Sequence, residues 1–88
     1  MSAAPKVTIY STRFCPFCVM ARRLLDKKGI RYEEIRVDAE PVRRAEMRSL
    51  SGRHTVPQIF VNGRHVGGYD DLCALDCAGR LDSLLVSG

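Results

Sequence analysis

No apolar run in this 88-residue sequence approaches the roughly 20 residues that a membrane-spanning helix needs, so no membrane association is expected. The opening residues, Met1 to Val7, lack the apolar core of about 7 to 15 residues that a secretory signal carries, which predicts a protein kept in the cytoplasm. Basic residues outnumber acidic ones, 14 against 10, but they run from Lys6 to Arg80 without forming a block. A nucleic-acid partner is therefore not expected; a mild positive field suits a small anion better. There is no internal repeat and no low-complexity tract. The length leaves no room for a second domain, so residues 1–88 are expected to form one.

Cysteine is sparse but telling. A short chain with four cysteines can be a two-bridge secreted framework, yet Cys15 and Cys18 stand too close to act as such a staple. Cys73 and Cys77 are one helical turn apart, with Cβ atoms about 5 to 6 Å from each other on a regular helix, beyond the roughly 3.5 to 4.5 Å that a disulfide wants. Cys73 falls at the flank of a buried face and reads as a small packing residue, Cys77 as an exposed thiol. His54 and His65 show no acid or base partner in the sequence and read as surface residues.

The elements follow from periodicity and punctuation. Lys6 to Tyr10 carries the β-branched and aromatic run of a strand. After the loop Ser11 to Phe14, Pro16 suits a first helical turn, and Val19 to Lys28 continues as a helix with Leu24 and Leu25 inward until Gly29 stops it. Ile30 to Val37 reads as a second strand with Ile30, Tyr32, Ile35 and Val37 inward. Asp38 is placed to cap a second helix that opens near Pro41, carries Val42, Ala45 and Leu50 at helical spacing, and ends at Gly52. Gln58 to Val61 is a third strand, and Asn62-Gly63 before Arg64-His65-Val66 is the strongest hairpin signal in the chain. Gly67-Gly68 ends that edge strand. A last helical region follows with Leu72, Leu75, Leu81, Leu84 and Leu85 inward, interrupted at Gly79. The order β-α-β-α-β-β-α predicts an α/β fold: a four-stranded mixed sheet flanked by three or four helices, the first two strands parallel and the last two antiparallel.

Three motifs carry chemistry. Cys15-Pro16-Phe17-Cys18 lies between a strand and a helix, where the unpaired N–H groups of the helix start stabilise negative charge on sulfur. Cys15 is the better placed nucleophile; Cys18, one turn inward, is the resolving thiol. A tetrathiolate metal site is the competing reading, but Cys73 and Cys77 lie too far along the chain for knuckle spacing, and no metal is expected. Thr55-Val56-Pro57 precedes a strand. A cis bond at Pro57 would expose the Val56 backbone to an extended peptide, a trans bond would make it an ordinary proline opening a strand, and sequence leaves both open. Gly67-Gly68-Tyr69-Asp70-Asp71 at a helix start offers free N–H groups to a carboxylate, though the same residues also make a plain turn.

Together, in this order and spacing, Cys15-Pro16-Phe17-Cys18, Thr55-Val56-Pro57 and Gly67-Gly68-Tyr69-Asp70-Asp71-Leu72 resemble the short dithiol glutaredoxins of bacterial type, and the likeness runs from Val7 to Leu85. The resemblance implies a thioredoxin-like fold and a monomeric enzyme that reduces protein-glutathione mixed disulfides and protein disulfides. Glutathione is its reducing co-substrate, and ribonucleotide reductase is among the partners such proteins serve. By that likeness Val56 pairs with the cysteinyl backbone of glutathione, Tyr69 and Asp70 hold its γ-glutamyl end, and Arg13, Phe17, Thr55, Pro57 and Gly68 complete the binding site. The family often has a lysine three residues before the nucleophile. Thr12 stands there in this sequence, so Arg13 is the candidate substitute. Phe17 stands where tyrosine is common and keeps the ring without its hydroxyl. Two alternatives use the same motifs: a dimer holding a 2Fe-2S cluster through two Cys15 residues and two glutathiones, and a redoxin reduced by thioredoxin reductase.

Overall fold

The strands of the sequence pattern assemble into one sheet in the order β2-β1-β3-β4 in the computed structural model, which describes residues 5–86. The elements are β1 (Val7–Ser11), α1 (Pro16–Lys27), β2 (Glu33–Arg36), α2 (Pro41–Ser51), β3 (Gln58–Val61), β4 (Arg64–Gly67), α3 (Tyr69–Cys77) and α4 (Arg80–Val86). β1 runs parallel to β2 and antiparallel to β3, and β3 runs antiparallel to β4. The β3–β4 turn is the expected two-residue hairpin: Asn62 and Gly63 both take positive φ, 52° and 82°, as a primed turn demands. No helix among the described residues is long and apolar enough to cross a membrane.

Alternation along the strands sends side chains to two faces. Val7, Ile9, Ile59 and Val61 point to one face and meet Ala21 and Leu25 of α1, Leu72 of α3 and Leu81 of α4 in a dry aliphatic core. Tyr10, Ile35 and Phe60 point to the other and meet Val37 and Met47. α3 and α4 are separate helices because Gly79, at φ +71°, turns the chain between them.

Two elements depart from the sequence reading. β2 starts at Glu33, not Ile30. The Ile30 N–H closes α1 by donating to the Leu25 carbonyl at 2.9 Å, so Ile30 is drawn into the helix ending and packs on the core from there. In α2 only Met47 is buried, while Val42 is 79% and Leu50 59% exposed. The inward side of α2 instead carries polar groups: Glu46 accepts from the Tyr10 hydroxyl at 2.6 Å and pairs with Arg43 at 3.1 Å. Asp38 does not cap α2. Glu40 is the N-cap, and the Asp38 carboxylate is engaged by Arg36 at 3.0 and 2.8 Å and by the Arg13 backbone N–H at 3.0 Å. β4 ends at Gly67, where the Gly67-Gly68 pair is expected to end it.

Candidate functional site

Strand β1 delivers the chain to the start of α1, where Cys15 is the N-cap in extended conformation and Pro16 the first helical residue. A cysteine in that position replaces the usual capping oxygen: its Sγ accepts from the Cys18 N–H at 3.2 Å. The helix start thus aims an amide at the Cys15 sulfur, which is itself half-exposed. The Val56 carbonyl also lies near it, 3.8 Å away. Cys18, one turn on, is fully buried. Burial pushes its thiol up to about 12, and its contact with the Cys15 sulfur pushes the same way; the Thr12 backbone and Arg22 pull against both. All four cysteines are free thiols.

The Val56–Pro57 peptide is cis, which answers what the sequence left open. Between this loop and the start of α3 lies an open groove of about 220 Å³. Phe17, Thr55, Val56, Pro57, Gly68, Tyr69 and Asp70 line it, so seven residues that the sequence singled out from three separate segments meet in one place. The Phe17 and Tyr69 rings face each other across it, centres 6.3 Å apart.

The α3 end of the groove depends on glycine. Gly67 takes φ +123°, and a Cβ there would collide with the Asp71 carboxylate. That carboxylate caps the helix by accepting from the Gly68 N–H at 3.0 Å. A Cβ at Gly68 would stand 3.4 Å from the Pro57 carbonyl, a measure of how closely the two lining segments approach.

Arg13 is not part of the groove. Its backbone is pinned by Asp38, and its guanidinium lies over the exposed Phe14 ring, 5.3 Å from the centre. The groove's cation is Arg53, which sequence reading missed. Arg53 pairs with Asp71 at 3.1 Å, and the Gly68 amide, with Arg53 second to it, holds the Asp71 carboxyl below the usual carboxylate range. A cation three residues before Val56, in the loop that carries it, was the available signal.

Gln58 was missed too. It is almost fully buried, its amide donates to the Thr55 carbonyl at 3.1 Å and hydroxyl at 3.3 Å, and its oxygen meets His65 Nε2 at 2.7 Å. His65 therefore has a partner, although neither an acid nor a base, and its ring packs against Phe60 with centres 5.0 Å apart. Neither Cys73 nor Cys77, both on α3, lines the groove: Cys73 is half-buried against the hydroxyl of the lining residue Tyr69, and Cys77 is exposed.

Such a site holds an accessible sulfur beside a helix start, a second thiol within reach, and a groove at the start of α3 lined by one cation, Arg53, and by the carboxylates of Asp70 and Asp71. That is the equipment for thiol-disulfide exchange.

Comparison with known proteins is consistent with this. The glutaredoxin family model matches residues 7–66. A glutaredoxin of Pseudomonas aeruginosa is 51% identical over 81 residues, covering 92% of this chain and 96% of that protein. Glutaredoxin 3 of Escherichia coli is 49% identical over 79 residues, covering 90% and 95%. Among solved structures, the solution structure of glutaredoxin from Brucella melitensis superposes with a TM-score of 0.86 at 49% identity, covering 99% of this chain and 95% of that one. The buckwheat glutaredoxin-glutathione complex superposes with a TM-score of 0.85 at 30% identity, covering 92% and 76%.

Proposed function

The chain belongs to the glutaredoxin family of thiol-disulfide oxidoreductases, and from that premise we propose that it draws its electrons from glutathione and acts on protein-glutathione mixed disulfides and protein disulfides. The observation that carries the proposal is the half-exposed Cys15 sulfur at the start of α1, touching the same Val56 that lines the groove.

In this reading Cys15 attacks the sulfur of a mixed disulfide as a thiolate stabilised by the α1 amides. When the substrate is a glutathionylated protein, Cys15 takes over the glutathionyl group and the protein thiol leaves. A second glutathione then attacks the glutathionyl sulfur and restores Cys15. When the substrate is a protein disulfide, Cys18 attacks Cys15 and releases the substrate as a dithiol, leaving a Cys15–Cys18 disulfide that two glutathiones reduce.

Glutathione lies extended in the groove, its cysteinyl backbone against Val56, with Thr55 and Pro57 shaping that side and Phe17 covering the ligand. Its γ-glutamyl carboxylate meets the N–H groups at the start of α3, where Gly68 allows close approach and Tyr69 and Asp70 flank the ligand. Arg53 supplies the positive charge nearest the groove. Proteins bearing glutathionylated or disulfide-linked cysteines are the proposed partners, ribonucleotide reductase among them, with the enzyme acting as a monomer in the cytoplasm.

One coupled assay tests the electron donor. Turnover of a glutathionylated model peptide should be sustained by glutathione with glutathione reductase, and not by thioredoxin reductase. Robust turnover with thioredoxin reductase and none with glutathione would reverse the proposal.

A further inference from the structure

We propose that Arg22 is the positioning residue that sets how readily Cys18 resolves a mixed disulfide on Cys15, and so how the protein divides its activity between protein disulfides and glutathione mixed disulfides. The inference rests on the reading of Cys18 as the resolving thiol. Cys18 is fully buried at the packing of α1 on the sheet, and to attack Cys15 it must carry negative charge out of bulk water. Whatever favours that charge therefore governs the step.

Arg22 follows Cys18 by four residues on α1, so the two share one side of the helix. Its guanidinium is fixed. Nη1 donates to Glu34 Oε2 at 2.6 Å, and the same oxygen accepts from the Ser11 hydroxyl at 2.6 Å. Ser11 is fully buried and ends β1; the next residue, Thr12, offers its backbone to the Cys18 sulfur. A connected set of groups therefore runs from the resolving sulfur through the end of β1 and Glu34 of β2 to a cation back on the sulfur's own helix. The charge of Arg22 acts on Cys18 against the cost of burial. Arg36 also feels a charge on Cys18, but two of its nitrogens are taken up by Asp38. Because Glu34 is bonded from two directions, it holds the Arg22 cation in place and keeps that long side chain from straying into solvent.

In the step concerned, Cys18 loses its proton to a solvent base and its thiolate attacks the Cys15 sulfur. The Cys15–Cys18 bond forms as the bond from Cys15 to the glutathionyl or substrate sulfur breaks, and the leaving thiolate takes a proton from water. Each tenfold loss of thiolate at neutral pH is offset in part by the greater nucleophilicity of a more basic sulfur, leaving a net slowing of about threefold.

The direct measurement starts from the full chain carrying glutathione on Cys15 and follows release of glutathione in a single turnover at neutral pH. Arg22→Gln should slow release, by about threefold for each tenfold loss of thiolate, and the ratio of protein-disulfide reduction to deglutathionylation should fall with it. Arg22→Lys, which keeps the cation, should recover most of the rate. Where the glutamine variant does not fold, Arg22→Met serves as the neutral replacement. Release at the unsubstituted rate from a folded neutral variant overturns the inference, and so does a lysine variant as slow as the neutral one. Cys18→Ser separates the two layers. If it releases glutathione as fast as the unsubstituted protein, the resolving role of Cys18 fails; if it releases none while Arg22→Gln is unchanged, only the role of Arg22 fails.

Discussion

The protein carries two pairs of cysteines, each spaced by about one helical turn, and they sit in very different places. Cys15 and Cys18 straddle the beginning of α1, with Cys15 outside the helix receiving an amide and Cys18 buried inside it. Cys73 and Cys77 lie within α3 and at its last residue, where the backbone amides are already engaged in helical bonds. The helix that hosts the second pair contributes to the groove through its other end, where Gly68, Tyr69, Asp70 and Asp71 stand. Two helices thus present their N-termini to one place. The position of a thiol relative to a helix start, more than its spacing from another thiol, decides what it can do.

The sharpest way to break this comparison is to remove one thiol from each pair. Cys15→Ser should lower turnover of a glutathionylated peptide by at least about a hundredfold, because hydroxyl oxygen does not replace thiolate as the nucleophile. Cys77→Ser should leave it within about twofold in the same assay. A large loss from Cys77→Ser would mean that the second pair takes part in the chemistry.

The buried member of the first pair makes a pH prediction. An unfolded thiol titrates near 8.5, and burial pushes Cys18 up to about 12, so between these values the native state holds a proton that the unfolded chain has lost. The contribution of Cys18 is whole below about pH 8.5 and is lost as pH rises towards 12. Tyr10, raised to about 12 first by burial and then by its bond to Glu46, acts in the same direction from about pH 10 upwards. Urea midpoints followed from pH 8 to 10 should therefore fall in the unsubstituted protein and fall less in Cys18→Ala. Equal slopes would remove Cys18 from the account.

The groove sharpens the comparison through its cation. Arg53→Ala removes a half-exposed ion pair beside the start of α3 and should raise the KM for glutathione by up to about fivefold, the upper end of what an exposed pair worth about 0.2 to 1 kcal/mol can do. The smallest effect is expected at Arg13, whose guanidinium rests on Phe14 outside the groove. Arg13→Ala should change that KM by less than about twofold and leave its salt dependence as it was. A larger loss with a shallower salt response would return to Arg13 the role of the lysine that Thr12 displaces.

Local signals made much of this readable in the sequence. The Asn62-Gly63 turn, the cysteine at the head of α1, the break at Gly79 and the leucines of α3 and α4 each depend on a few neighbouring residues, and each appears where the pattern put it. What sequence hid depends on partners far along the chain. Val42 and Leu50 keep helical spacing, but the sheet face opposite α2 presents the Tyr10 hydroxyl, so that helix turns Glu46 and Arg43 inward beside Met47. Asp38 resembles a cap until the Arg13 amide, 25 positions earlier, claims it together with the neighbouring Arg36. Arg53 looks like one basic residue among many until the fold brings Asp71, 18 positions later, beside it. Pattern finds residues that bond within a turn or a strand; it does not find a carboxylate's choice among distant cations.

The central claim is that the start of α1 makes Cys15, and no other thiol, the reactive one. Brief exposure to iodoacetamide near neutral pH, followed by mass-spectrometric assignment of the modified peptides, measures this directly. Cys15 should be labelled first, ahead of the exposed Cys77, with Cys73 slower and Cys18 the last. If Cys77 or Cys18 is labelled before Cys15, the assignment of the nucleophile is wrong.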